Sequence, residues 1–208
     1  MKKLNKGCFI TFEGADGCGK TTQIKLLKEY LDKKNIESIT TLEPGGCELG
    51  KNLRQILLHY DKPVADKCEI FLYLADRAQH VETTIKPALL DNKVVLCDRY
   101  VDSTLAYQGY GRGYDIDLML NLNEIATSNL KPDLTILLDV STEVAQTRVG
   151  SEKDRMEGEG LIFHKKVREG YLELAKKEPE RIKIVDASQT IEEVFCEIKK
   201  IIEEFLNQ

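Results

Sequence analysis

Short, continuously apolar runs alternate along the chain with helix-length stretches whose apolar residues recur three or four positions apart. Residues 8–12, 38–42, 94–97, 134–138 and 182–185 are rich in aliphatic and β-branched side chains. Several are apolar throughout rather than alternating, the pattern of parallel strands buried on both faces. Between them, Ile24, Leu27 and Leu31 fall on one face of a predicted helix. Ile191, Val194, Phe195, Ile198, Ile201, Ile202 and Phe205 form a stripe on a last amphipathic helix, and Thr190 and Glu193 are spaced for a capping box at its start. Strand–helix alternation of this kind predicts an α/β fold, an open and mostly parallel sheet covered by helices. Ligands of such sheets bind beyond the carboxyl ends of the strands.

Composition narrows the partners. With 208 residues the chain suits one domain with a substantial core. A net charge of −5 argues against a nucleic-acid-binding protein, which needs clustered Lys and Arg. The basic residues at 1–6 resemble the start of a signal peptide, but Glu13 and Asp16 interrupt the apolar run that follows. No stretch approaches the roughly 20 apolar residues that cross a bilayer, so a cytoplasmic protein without membrane association is expected. The six cysteines (Cys8, Cys18, Cys47, Cys68, Cys97, Cys196) lack CxxC spacing and are expected to be free, buried thiols. His59, His80 and His164 are too scattered for a zinc site.

The sequence GADGCGKT at 14–21 matches GxxxxGK[ST] between a predicted strand and a predicted helix. Gly14, Ala15, Asp16, Gly17, Cys18 and Gly19 would curl so that successive N–H groups face phosphates. Lys20 would reach the β/γ-phosphates and Thr21 would ligate Mg²⁺. A glycine turn with a chance lysine is the bland alternative, and the strand–loop–helix context disfavours it. The loop by itself implies a nucleoside triphosphate and no more.

A second phosphate-bearing substrate needs its own cations. Asp98-Arg99-Tyr100 follows the third predicted strand, where a carboxylate can hold Mg²⁺ directly or through water and an arginine can face a second phosphate. A surface ion pair between Asp98 and Arg99 is the alternative. The DxxG and NKxD signatures of a switch GTPase are missing in register, and so is the basic face of a helicase.

FEGADGCGKTT at 12–22, EPGG at 43–46, YLADR at 73–77, DRYVDSTLAYQG at 98–109, DR at 154–155 and VREGYLELA at 167–175 occur in one order over about residues 8 to 190. Together they resemble the thymidylate kinases of bacterial type. The resemblance implies a P-loop NTPase fold with a five-stranded parallel sheet flanked by helices. It also implies transfer of a phosphoryl group from ATP to dTMP with Mg²⁺, in dTTP biosynthesis, by a homodimer. By position it puts Arg54 and Arg99 near the dTMP phosphate and Asp16 near the 3′-hydroxyl. Tyr73 would stack on the base, Arg77 and Gln108 would read its edge, Thr104 would lie beside it, and Tyr107 would sit beneath C2′. Taken without the resemblance, Tyr73 and Leu74 also read as helix core, Tyr107 and Tyr110 as packing aromatics, and Gly109, Gly111 and Gly113 as a flexible loop. Leu42, where the family usually has Arg, and Cys47, where it has Thr, depart from the pattern.

Phosphoryl transfer asks mainly for alignment and charge neutralisation, and water must be kept out. The polar, glycine-bearing segment at 148–160 is expected to be a lid over a single domain spanning 1–208. Lys20 and Arg99 are the expected catalytic cations. Gly17 stands where eukaryotic relatives carry a loop arginine, so a lid residue must supply that charge. Arg155 is expected at the phosphates and Arg148 near adenine, with Lys153 as the other candidate. The rival functions are a kinase for another monophosphate, UMP or AMP, and a nucleotide-binding switch without an acceptor.

Overall fold

All six side chains of the first strand, β1 (Cys8–Glu13), are buried, as a central strand covered on both faces requires. In the computed structural model, which describes residues 6–148, 150 and 154–207, β1 lies between β3 (Val94–Asp98) and β4 (Leu134–Asp139). β2 (Ser38–Leu42) and β5 (Ile182–Asp186) form the edges, and every pairing is parallel. Each strand except β2 runs one residue beyond its apolar run, to an acidic residue at the carboxyl end of the sheet.

Alternation along β1 divides the core. Cys8, Ile10 and Phe12 face a layer built with α1 (Lys20–Lys33) and α9 (Ile191–Leu206), through Leu27, Leu31, Ile198 and Ile202. Phe9 faces the opposite layer, where it packs edge-on against Tyr100. That layer contains α2 (Glu48–His59), α3 (Asp66–His80), α4 (Lys86–Leu90), α5 (Val101–Thr104), α6 (Ile116–Thr127) and α8 (Leu161–Lys177). The remaining helix, α7 (Thr142–Arg148), follows β4.

The stripe on α9 is narrower than its sequence pattern. Val194, Ile198 and Ile202 are buried and Phe195, Ile201 and Phe205 pack against the same cluster, so only Ile191, exposed at the first turn, falls outside it. The capping box forms: Glu193 N donates to Thr190 Oγ1 at 3.3 Å, and Thr190 N to the Glu193 carboxylate at 3.1 Å.

Two expectations need correction. Gly109 and Gly111 do not belong to a flexible loop but to a π-helical turn, Leu105–Gly111, that continues α5. A Cβ on Gly111 would lie 2.7 Å from the Phe163 ring, so these glycines permit close packing against α8 and the start of α6. Cys8, Cys18 and Cys97 are buried free thiols, whereas Cys68 and Cys196 lie on outward helix faces and are exposed.

Candidate active site

Strand register sets the site. Leu42, Asp98 and Phe12 lie level across β2, β3 and β1. The residues that follow them, Glu43, Arg99 and Glu13, therefore emerge together at the carboxyl end of the sheet.

The loop after β1 turns through left-handed backbone at Gly14, Gly17 and Gly19, with φ of 135°, 81° and 99°. A Cβ on Gly14 would stand 2.5 Å from the Leu138 carbonyl oxygen. No side chain caps α1 at Gly19, so its first amides remain available to an anion. Lys20 is buried. Its side chain folds back across the loop, and Nζ donates to the carbonyls of Gly14 at 3.1 Å and Ala15 at 3.0 Å. Thr21 Oγ1 donates to Asp98 Oδ2 at 3.2 Å. These residues line a cleft of about 1000 Å³ that also takes in Leu42, Arg54, Arg99 and Arg148.

Arg99 has φ 70°, a left-handed conformation that a long side chain adopts only when its surroundings hold it there. Its backbone N–H is fixed on the Phe12 carbonyl at 2.9 Å. The guanidinium donates to Asp16 at 2.6 Å, the Tyr107 hydroxyl at 3.0 Å, the Tyr171 hydroxyl at 3.1 Å and Ser103 at 3.2 Å. Arg99 thus pairs with Asp16 of the phosphate loop rather than with its neighbour Asp98. Burial would raise the Asp16 carboxyl, but the charges of Arg99 and Lys20 hold it well below the usual carboxylate range.

Beyond Arg99 lies a cavity of about 90 Å³ lined by Tyr73, Arg77, Thr104, Tyr107, Gln108 and Met156, among others. Asp16, Glu43, Arg54 and Arg99 line both this cavity and the cleft. Tyr73 walls the cavity and also packs against the core cluster that holds its neighbour Leu74. Tyr107 donates its hydroxyl to Asp16 at 3.1 Å, and Tyr110 packs against α8 at Gly170. Arg77 is fully buried: Nε donates to Glu43 at 2.7 Å, Nη1 to Thr104 at 2.6 Å and to Asn123, and Nη2 to the Tyr100 carbonyl at 2.9 Å. Glu43 also meets His80 Nδ1 at 2.9 Å, and Arg54 donates to the Pro44 carbonyl at 2.7 Å.

In the segment from 148 to 160, Arg148 lines the cleft and donates to the Ala187 carbonyl at 2.9 Å. Arg155 does not face the phosphate loop. It pairs with buried Glu69 at 2.6 Å and donates to the Leu57 carbonyl at 2.9 Å, docking this part of the segment onto α2 and α3. Neither Asp154 nor Glu157 is its partner. A desolvated carboxylate attracts a guanidinium far more strongly than a hydrated one does. Lys153 lies outside the described residues.

Four carboxylates and a tyrosine escaped the sequence reading. Glu13 accepts from Tyr100 N at 2.8 Å, Ser103 at 2.6 Å and Tyr171 at 2.9 Å, and burial together with the charge of Asp102 pushes its carboxyl up to about 7. Glu43 and Glu69 anchor arginines, and Asp76 receives the Gly45 amide at 3.0 Å. Glu13 carried a signal, an acid closing a buried apolar strand, and Glu43, Asp76 and Tyr171 fall inside the EPGG, YLADR and VREGYLELA strings, whereas Glu69 carried none. Cys47 caps α2, its sulfur accepting from Gly50 N at 3.3 Å, which gives the departure from Thr a structural role.

The thymidylate kinase family model matches residues 12–198. The chain is 52% identical to the thymidylate kinase of Geotalea uraniireducens over 196 residues, covering 90% of this chain and 92% of that protein. It is 52% identical to that of Carboxydothermus hydrogenoformans over 200 residues, covering 95% and 98%. A crystal structure of thymidylate kinase from Ehrlichia chaffeensis superposes with a TM-score of 0.79 at 37% identity, covering 95% of this chain and 99% of that one.

Proposed function

Since the chain belongs to the thymidylate kinase family, and so transfers a phosphoryl group from ATP to dTMP, we propose that Lys20, Arg99 and Arg155 are the cations that carry the transfer. The carrying observation is that the cleft and the cavity share Arg99 and Asp16. An arginine held at that junction can touch a donor phosphate and an acceptor phosphate at once.

ATP would lie in the cleft, its phosphates on the amides of residues 14–21 and on Lys20, with Arg148 beside the adenine. The dTMP base would enter the cavity against Tyr73, with Arg77, Thr104 and Gln108 at its edge. Arg54 and Arg99 would hold its phosphate, Asp16 its 3′-hydroxyl, and Tyr107 would fill the space under C2′. Thr21 and Asp98 would hold Mg²⁺, which neutralises charge on the β- and γ-phosphates. Their paired hard oxygens fit that ion. Phosphate oxygens and water would complete the ion's ligands. The acceptor phosphate is already an anionic nucleophile, so no general base is needed.

The segment from 148 to 160 acts as the lid of a single domain, and Arg155 must leave Glu69 to reach the transferring phosphoryl group. ADP release followed with and without dTMP tests this scheme. Release by the native enzyme should depend on dTMP, and Arg155→Ala should lower kcat roughly a hundredfold with little change in KM for dTMP. Near-normal kcat would exclude Arg155 from the chemistry.

The enzyme works in the cytoplasm as a homodimer. Among the described residues, no helix is long and apolar enough to cross a membrane. Phe71 on α3 and Leu118 and Ile125 on α6 are exposed on two neighbouring helices, an apolar surface that a second copy would cover. Light scattering should report a dimer at micromolar concentration; a monomer would refute it.

A further inference from the structure

Gln108, at one end of the cavity, donates its side-chain Nε2 to Glu69 Oε1 at 2.9 Å. A carboxylate accepts and cannot donate, so this bond decides which way round the amide lies. Nε2 is turned toward Glu69. The carbonyl Oε1 accepts from none of the described residues and is the end left for the cavity. Glu69 is fully buried and receives Arg112 through Nε at 2.9 Å and Nη2 at 3.0 Å, and Arg155 at 2.6 Å. Burial would raise its carboxyl, yet hydrogen bonds from Arg112 and Gln108 and the Arg112 charge hold it below its ordinary value. It therefore stays an anion, and the amide has no reason to turn over.

We propose that Glu69 is a specificity-determining residue that acts through Gln108, holding its carbonyl toward the base so that a pyrimidine with a hydrogen on N3 is admitted and one with a lone pair there is refused. The proposal rests on the cavity being the base site. Thymine N3–H can donate to Oε1. Cytosine N3 would meet Oε1 lone pair to lone pair, a repulsive contact that discriminates more sharply than a missing attraction. An amide free to rotate would offer Nε2 to cytosine and lose that discrimination.

The test is kcat/KM for dTMP and for dCMP in the native enzyme, Glu69→Gln, Gln108→Leu and the double variant. Glutamine at 69 keeps the shape but can donate or accept, which releases the Gln108 amide. The dTMP:dCMP ratio should then fall roughly tenfold or more, while the same change in the Gln108→Leu background leaves the ratio where Gln108→Leu put it. Equal losses for both acceptors, with the ratio intact, overturn the proposal. Arg112→Lys disturbs the same ion pair without touching Gln108 and should retain the native ratio. A fall there as large as in Glu69→Gln means general loosening and also overturns it.

If Glu69→Gln does not fold, the native protein still decides. The Gln108 side-chain NH₂ signal, assigned by its loss in Gln108→Leu, should keep its position and its protection from solvent exchange when dTMP binds. A large shift would mean that the NH₂ group donates to the base, which overturns the proposal. A dTMP methylated at N3 separates the two levels. If the native enzyme phosphorylates it as well as dTMP, the base-site reading falls; if it is refused while the Glu69→Gln ratio is unchanged, only the role of Glu69 falls.

Discussion

Replacing Lys20 with alanine should lower kcat by about a thousandfold or more while leaving the fold in place. The ammonium donates to the Gly14 and Ala15 carbonyls and lies 4.0 Å from the Asp16 carboxylate, so without nucleotide it is held by the loop it serves. Phosphate oxygens in the cleft are stronger acceptors than those carbonyls, because an anionic oxygen adds the attraction of its charge to the bond that the ammonium makes. The charge that builds on the transferring group would then lose its nearest fixed cation. Removing the side chain opens the space beside those carbonyls toward the cleft that Lys20 lines, so water can replace the ammonium and the melting temperature should move by only a few degrees. Steady-state rates and a thermal melt on the same preparation check both halves. A variant within tenfold of native kcat would show that the loop binds phosphate without Lys20.

The fold was legible because its signals are local. A strand covered on both faces is apolar at nearly every position, as β1, β3 and β4 are, and such runs separated by helical periodicity leave few arrangements open. The phosphate loop was legible for a similar reason, since glycine spacing is dictated by backbone conformation at Gly14, Gly17 and Gly19.

The layer behind the site was not legible. Glu69 sits in α3 among apolar residues, where an acid reads as the solvent side of an amphipathic helix. Its burial depends on Gln108, 39 residues away, and Arg112, 43 residues away. No spacing rule connects positions so distant. The partner that holds Arg155 here was missed for the same reason, because no spacing in the segment from 148 to 160 tells of a desolvated carboxylate beside it. Leu42 is a milder case. Its side chain is exposed at the wall of the cleft, and no contact among the described residues explains the departure from the pattern.

Arg99→Ala should cost about as much as Lys20→Ala but at the other substrate, lowering kcat/KM for dTMP by roughly a thousandfold. Four acceptors fix the guanidinium, on the phosphate loop, on α5 and its π-helical continuation, and on α8, so its position does not wait on substrate. That preorganisation would be lost with the side chain, and Arg99→Lys should recover little of it. A lysine carries the charge but has no planar fork with which to span Asp16, the two tyrosines and a phosphate. Stability offers an independent check on the cause. Alanine at 99 leaves the Asp16 carboxylate without its arginine, but Lys20 remains near and Asp16 is partly open to water, so the penalty should stay below the ~3–5 kcal/mol of a fully buried broken pair. Arg99→Gly would lose the same charge while relieving a left-handed residue, and should be more stable than Arg99→Ala by up to ~1 kcal/mol. Tyr107→Phe deletes one of the four acceptors and should reduce kcat/KM far less than either change at 99. Kinetics with each substrate varied in turn, alongside chemical denaturation, separates these effects. If Arg99→Ala raised KM for ATP and left kcat/KM for dTMP near native, the arginine would belong to the donor alone and the shared junction of cleft and cavity would have no catalytic meaning.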